Sequence, residues 1–213
     1  MGLFGGKSSA SSAHAEAGRV ARHSSGWQKL SAHLKSQESL RILDIGPTSA
    51  GNINFTTNLG HSIYMANLVE DAARPEFKLS AAEAASTGHT YDVERFLREA
   101  LDFAGRTFDV VAFWDTADYL PAEFLQPVVD RIYDVMEPGG QLLAFFHSKV
   151  TGDDTAFSRY HLTDTDQIQM QRIGGHNILQ TYTNRQIETL FARYDAYKFF
   201  LAKDSLREVI VTR

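Results

Sequence analysis

The stretch Leu40-Arg41-Ile42-Leu43-Asp44-Ile45-Gly46-Pro47-Thr48-Ser49-Ala50-Gly51-Asn52 constrains the fold more than any other part of the chain. An apolar run ends in an acid and a glycine, and a helix-like segment follows. A first parallel strand of an α/β sheet meets a nucleotide or cofactor in this way. The strand's carboxyl end opens onto a tight turn, and the next helix starts with unpaired N–H groups facing the ligand. Gly46 lets the backbone turn sharply and approach a ligand closely. A strand ending in a plain turn at Gly46, with no ligand, is the alternative.

The rest of the chain supplies more elements of the same kind. Trp27, Leu30 and Leu34 share one face at helical spacing, which predicts a helix over Gly26 to Lys35. Ile53, Phe55 and Leu59 continue as a helix that stops at Gly60, and Ser62 to Leu68 reads as a second strand. Glu70 to Thr90 is Ala-rich, with Pro75 and Gly88 punctuating short helix and loop. Val93, Phe96, Leu97 and Ala100 fit a helix. Arg95 to Leu97 is also the one place where a further strand could lie, and the sequence does not decide between them. Phe108 to Trp114 is apolar on both faces, as a central parallel strand is, and Asp115 follows at its carboxyl end.

Pro121 to Met136 reads as helical, with a break expected at Pro127. Glu137-Pro138-Gly139-Gly140 reads as a helix stop and turn before a strand over Gln141 to His147. Thr151 to Asp154 is a loop. Arg159 to Leu162 and Gln167 to Ile173 alternate polar and apolar residues, which predicts a two-stranded ribbon inserted between about residues 150 and 180. Thr183 and Gln186 form a capping box. Tyr197 to Leu201 and Leu206 to Val211 flank a tight turn at Lys203-Asp204 and predict a closing antiparallel hairpin.

Together these readings predict an α/β fold: a Rossmann-like, doubly wound sheet, mostly parallel, with a C-terminal antiparallel hairpin. A length of 213 residues, 43% of them hydrophobic, suits one such domain over residues 18–213. Residues 1–17 are small and polar and read as a disordered tail. Gly6-Lys7-Ser8 resembles the end of a phosphate-binding loop, but Met1 stands where that loop's first glycine belongs. A net charge of −5 argues against a nucleic-acid surface. The absence of cysteine excludes disulfides, thiolate metal sites and Cys nucleophiles. No His or carboxylate pair shows ligand spacing on a recognisable helix, so no metal is expected. No apolar run approaches the roughly 20 residues that span a bilayer, and the start lacks a secretory core. A cytoplasmic protein without membrane partners is the expectation, with the oligomeric state open.

On these residues the chain resembles the class I S-adenosylmethionine-dependent methyltransferases, over about Leu40 to Arg213. The parts that carry the resemblance are the Leu43-Asp44-Ile45-Gly46 turn and Phe108-Asp109-Val110-Val111 leading to Asp115. Tyr119-Leu120-Pro121, the Met136-Glu137-Pro138-Gly139-Gly140 turn and the final hairpin complete it. More narrowly, Trp114-Asp115 and Phe145-Phe146-His147 resemble bacterial methyltransferase-domain proteins. The resemblance implies S-adenosylmethionine as cofactor and methyl transfer to an unidentified acceptor, a small molecule in the simplest case. It also implies cofactor contacts at Asp44, Gly46, Thr48, Asn67, Trp114 and Asp115.

The departures are specific. The family's first motif runs Asp-x-Gly-x-Gly-x-Gly; here Thr48 and Ala50 replace two of the glycines. Asn67 stands where the family's ribose-binding acid ends the second strand, with Glu70 and Asp71 just beyond. Glu99 and Asp102 are the candidates for the adenine-contacting acid. His147 and His161 are candidate bases, with Arg159 and Tyr160 as possible anion or aromatic contacts. For each histidine a hydrogen-bonded structural role is the plainer alternative, and Trp114 and Tyr119 could equally be core aromatics. No catalytic residue is assigned. Two competing readings stand beside the enzyme: an inactive methyltransferase-like scaffold, motivated by Thr48, Ala50 and Asn67, and a nicotinamide-dependent enzyme. The latter is disfavoured because Thr48 breaks Gly-x-Gly-x-x-Gly and the closing hairpin fits it poorly.

Overall fold

The computed structural model describes residues 18–150, 156–200 and 204–213. The tail reading for residues 1–17, the loop at Thr151 to Asp154 and the Lys203 side of the final turn lie outside the described residues.

The chain enters through strand β1 (Arg19–His23) and helix α1 (Ser25–Ser36), which Ser24 caps by accepting from the Trp27 N–H. Strand β2 (Arg41–Ile45) leads to α2 (Ala50–Asn58), then to β3 (Ser62–Ala66) and the short α3 (Leu68–Ala72). A 3-10 turn (Pro75–Phe77), α4 (Ala81–Thr87) and α5 (Val93–Ala100) carry the chain to β4 (Phe108–Trp114). The short α6 (Thr116–Tyr119), α7 (Ala122–Val135) and β5 (Met136–His147) follow. Then come β6 (Ser158–His161), β7 (Gln167–Arg172), α8 (Asn184–Leu190), β8 (Ala196–Phe200) and β9 (Leu206–Thr212).

The central sheet has six strands in the order β3-β2-β4-β5-β9-β8. The pairs β2–β3, β2–β4 and β4–β5 are parallel; β5–β9 and β8–β9 are antiparallel. The expected doubly wound sheet and closing hairpin are therefore both present. Apolar side chains alternate between two cores, as a sheet covered on both faces requires. Leu43, Ile45, Phe113, Leu142, Ala144 and Phe146 face α5, α7 and α8. Ile42, Val110, Ala112, Trp114, Leu143 and Phe145 face α1 and the ribbon. Strand order reverses between β2 and β4, so ligands of such folds meet the carboxyl ends of these two strands.

One open alternative is decided and two expectations needed correction. Arg95 to Leu97 is not a strand but the middle of α5. Phe96 is fully buried, stacked on Phe124 at 4.2 Å and edge-on to Phe77 at 5.2 Å, and the helical period keeps Phe96 and Ala100 on that core side. Pro127 does not break α7, which runs through it. The apolar ladder Phe124, Val128, Ile132 and Val135 is buried on one face, and this burial outweighs the lost hydrogen bond. Glu137 to Gly140 is not a turn but the opening of β5, which meets β4 with a register shift between Phe108 and Val110. Glu137 and Thr107 hold Arg41 there, at 2.8 Å each.

The inserted ribbon forms as β6 and β7, but a third strand joins it. β1 pairs antiparallel with β7, from Arg19 opposite Gln171 to His23 opposite Gln167. A buried ion pair fastens this strand to the main sheet. Arg22 donates to Glu208 at 2.5 Å and to Asp204 at 2.6 Å, and Glu208 also accepts from the Ser24 hydroxyl and the Gly26 N–H. The sequence offered no signal for β1, which is polar and mostly exposed. No helix among the described residues is long and apolar enough to cross a membrane.

Candidate functional site

The β2–α2 turn builds the floor of the site. Gly46 adopts φ +156°, and its N–H donates to the Ala66 carbonyl at 2.7 Å, which ties the turn to the end of β3. A Cβ at Gly46 would meet one neighbour, Cδ1 of Trp114, at 3.3 Å. Ser49 caps α2 by accepting from the Asn52 N–H. The Ser-x-x-Asn spacing was visible in the sequence, but its consequence was not. Asn52 lies buried beneath the ribbon, donating to the Tyr160 carbonyl at 2.8 Å and accepting from the Leu162 N–H at 2.9 Å.

Asp44 is buried at the end of β2. It accepts from the indole N–H of Trp114 at 2.7 Å, from the hydroxyl of Thr48, and more weakly from Asn52 at 3.4 Å. Burial pushes its carboxyl up to about 6, and the bonds from Trp114 and Asn52 oppose that rise. Thr48 thus turns its side chain inward onto Asp44 rather than lining open space.

Trp114 ends β4 with φ +48°, a conformation that is costly for a bulky residue and persists where the surroundings over-determine it. Its indole lies against Gly46, bonds Asp44, and stacks on Tyr160 of β6 at 4.9 Å and 11°. The Tyr160 hydroxyl donates to Asp115 at 2.7 Å. Asp115 is buried, and desolvation pushes its carboxyl up to about 7 despite the opposing effects of His147 and Tyr160.

One turn on, Asp118 accepts from both the backbone N–H and the Nδ1 of His147, at 2.7 and 2.8 Å. Its other oxygen is buried with no hydrogen bond, and burial raises its pKa. The Asp115-x-x-Asp118 spacing was the sequence signal for this second carboxylate, and it went unread. His147 is therefore a buried partner of Asp118. His161 is also buried; Nδ1 meets Ser49 Oγ at 3.1 Å and Nε2 meets Gln171 at 3.0 Å. Burial lowers its pKa, against the opposing bond to Gln171. Arg159 donates to the Pro47 carbonyl at 3.1 Å.

Asn67 follows β3 at the start of α3 but makes no capping bond, and its Oδ1 is buried without a partner. The remaining acids lie elsewhere. Glu70 pairs with His176 at 3.1 Å and Asp71 with Arg74 at 3.3 Å. Glu99 pairs with Arg95 at 2.8 Å, and Asp102 accepts from the Ala104 N–H. Asp102 borders an open depression of about 470 Å³ between α5 and Arg131, which shares no residue with the site. The structure thus brings Asp44, Gly46, Thr48, Trp114 and Asp115 together with Tyr160, and leaves Glu99 and Asp102 outside. Among the described residues no cluster of three His, Cys, Asp or Glu side chains could hold a metal ion.

No protein-family model matches the chain, and no curated protein matches it. Solved structures do. A Pyrococcus horikoshii protein aligns at TM-score 0.50 and 16% identity, covering 88% of each chain. An S-adenosylmethionine-dependent methyltransferase of Clostridium acetobutylicum aligns at TM-score 0.47 and 13% identity, covering 88% of this chain and 90% of that one. An O-methyltransferase family protein of Burkholderia thailandensis aligns at TM-score 0.45 and 17% identity, covering 87% of this chain; the present chain spans 55% of its length. At these identities the likeness is one of fold, and it rests on the Pyrococcus protein.

Proposed function

We propose that this protein is an S-adenosylmethionine-dependent methyltransferase acting on a small acceptor. The observation that carries the reading is Asn67 Oδ1, a buried acceptor without a donor at the carboxyl end of β3. A buried polar atom left unpaired costs free energy, so its persistence calls for a partner. A ribose hydroxyl supplies the missing donor. The residues fit the cofactor at this end. Around Gly46 the obstruction is a side chain, the Trp114 indole, rather than backbone. When bound, the cofactor supplies an electrophilic methyl group on a sulfonium.

The chain's own residues do the rest. Asn67 would accept from the ribose, and the Gly46 turn would let the backbone come close to the methionine portion. Asp115 stands at the end of β4, where an acceptor meets such a fold. Poised near neutrality, it can hold or take the acceptor's proton at a carboxylate oxygen. Asp118 fixes His147 beside it. Burial of all three excludes water.

Calorimetry with S-adenosylmethionine and S-adenosylhomocysteine tests the reading. Binding of both at one site per chain is the expected result. Failure of both to bind, with NAD binding instead, would turn the assignment to the nicotinamide enzyme. Silence of the wild type towards all three would leave a scaffold only if variants that weaken the ribbon's contact with the β2–α2 turn are silent as well.

A further inference from the structure

The ribbon β6–β7 sits on the candidate site residue by residue. Arg159 bonds Pro47, Tyr160 bonds Asn52 through its carbonyl and Asp115 through its hydroxyl, His161 bonds Ser49, and Leu162 bonds Asn52. Every residue from Arg159 to Leu162 is thus fastened to the β2–α2 segment or to the end of β4. The Tyr160 ring, 2% exposed, presses flat on the Trp114 indole. The indole in turn fills the space in front of Gly46, within van der Waals contact of where a Cβ would be. Trp114 holds an unfavourable φ to do so.

We propose that the Tyr160–Trp114 stack is an autoinhibitory contact. The described conformation is a closed state, and cofactor enters only when the ribbon withdraws Tyr160 and frees Trp114 to leave Gly46. This inference rests on the methyltransferase reading and adds its regulation. The contact is well suited to switching. Over the turn the ribbon is held by hydrogen bonds to Pro47, Ser49, Asn52 and Asp115 and by the Tyr160–Trp114 stack, while Tyr160 and Ile168 also pack in the apolar core with Trp27, Leu30 and Phe145; the directional bonds are the part that single substitutions release. Asp115 is the shared group. In the closed state it accepts from Tyr160; in the open state the same oxygen faces the acceptor.

Closure lowers apparent affinity in proportion to the open fraction, because ligand binds only that fraction. Weakening the contact while leaving Gly46 and Asn67 unchanged therefore tightens binding. Two variants do this in different ways. Tyr160→Phe keeps the stack and removes the bond to Asp115. Asn52→Ala keeps the ring and removes both clamps on the ribbon backbone. Each is expected to tighten S-adenosylhomocysteine binding roughly fivefold or more, the effect of losing about one net hydrogen bond from the closed state.

A second readout follows Trp114 itself. In a Trp27→Phe background Trp114 is the only indole. Its emission should shift to the red when saturating S-adenosylhomocysteine separates it from Tyr160. Wild-type binding with unchanged emission, together with equal affinities in Tyr160→Phe and Asn52→Ala, would overturn the gate and leave the methyltransferase reading standing. Absence of binding by the wild type and by both folded variants would overturn the reading itself and the gate with it.

Discussion

Substituting Asn67 by Asp separates a ribose contact from a structural amide. In the ligand-free protein Asn67 Oδ1 is buried and unpartnered, and the residue makes no capping bond to α3. A carboxylate there would bury a charged oxygen one turn from Glu70 and Asp71. Charging that unpartnered buried oxygen costs about 1–3 kcal/mol more, so the ligand-free variant should melt roughly 2–12 °C lower for a chain of this size. With S-adenosylhomocysteine the sign reverses. A carboxylate accepts from ribose hydroxyls with charge assistance, about twice the strength of a neutral bond. The gain of about 1–2 kcal/mol corresponds to a roughly fivefold to thirtyfold lower Kd. The closed-state penalty at Trp114 is common to both proteins and cancels in the ratio. The assay is calorimetry of both proteins at one pH and salt, with melting curves of each with and without ligand. A variant that melts lower alone yet binds more tightly supports the ribose contact. Equal or weaker binding by the variant would refute the reasoning and make Glu70 the next residue to test.

Other perturbations act on different parts of the site. Gly46→Val should cost about 1–3 kcal/mol, because a branched side chain is strained at φ +156° and its Cβ meets Trp114 at 3.3 Å; denaturant unfolding measures the cost, and calorimetry should find S-adenosylhomocysteine binding lost. Asp115 and Asp44 carry raised pKa values of about 7 and about 6, so the folded state holds their protons more tightly than the unfolded chain does. Their stabilisation is fully present below the unfolded value of about 4 and is lost as pH rises through about 6 to 7. Melting temperature should therefore fall between pH 5 and pH 8, and Asp115→Asn should flatten that fall; an unchanged slope would mean Asp115 is ionised throughout. Arg22→Ala strands Glu208, which is 2% exposed, and should cost about 3–5 kcal/mol in urea unfolding.

Much of the architecture was determined by local pattern alone. The apolar run Ile42 to Ile45 before Gly46, the two-faced apolar strand Phe108 to Trp114 and the Thr183–Gln186 capping box each satisfy their own backbone and burial needs, so they read correctly without knowledge of their neighbours. Where two local readings were equally good, packing decided. α5 is helical because Phe96 must reach Phe124 and Phe77, and α7 runs through Pro127 because its apolar face is worth more buried than broken. Glu137 to Gly140 bulges within β5 because β4 pairs on either side of it, Phe108 with Met136 and Val110 with Gln141.

The candidate site divides in the same way. Asp44, Gly46, Thr48, Trp114 and Asp115 were legible because they end strands that meet at the switch point. What those side chains do there was not. Trp114 could be a cofactor contact or a core aromatic until Tyr160, forty-odd residues on in a separate sheet, was seen lying flat upon it. Asn52, Asp118 and β1 acquire their roles through partners more than a hundred residues away or across a strand end. Local sequence determines what a segment can become, since propensity, capping and periodicity act within a few residues. Only the tertiary structure decides which buried polar groups find partners, because that depends on surfaces brought together from distant parts of the chain. That difference left Asp44 satisfied and Asn67 Oδ1 without a partner in the protein.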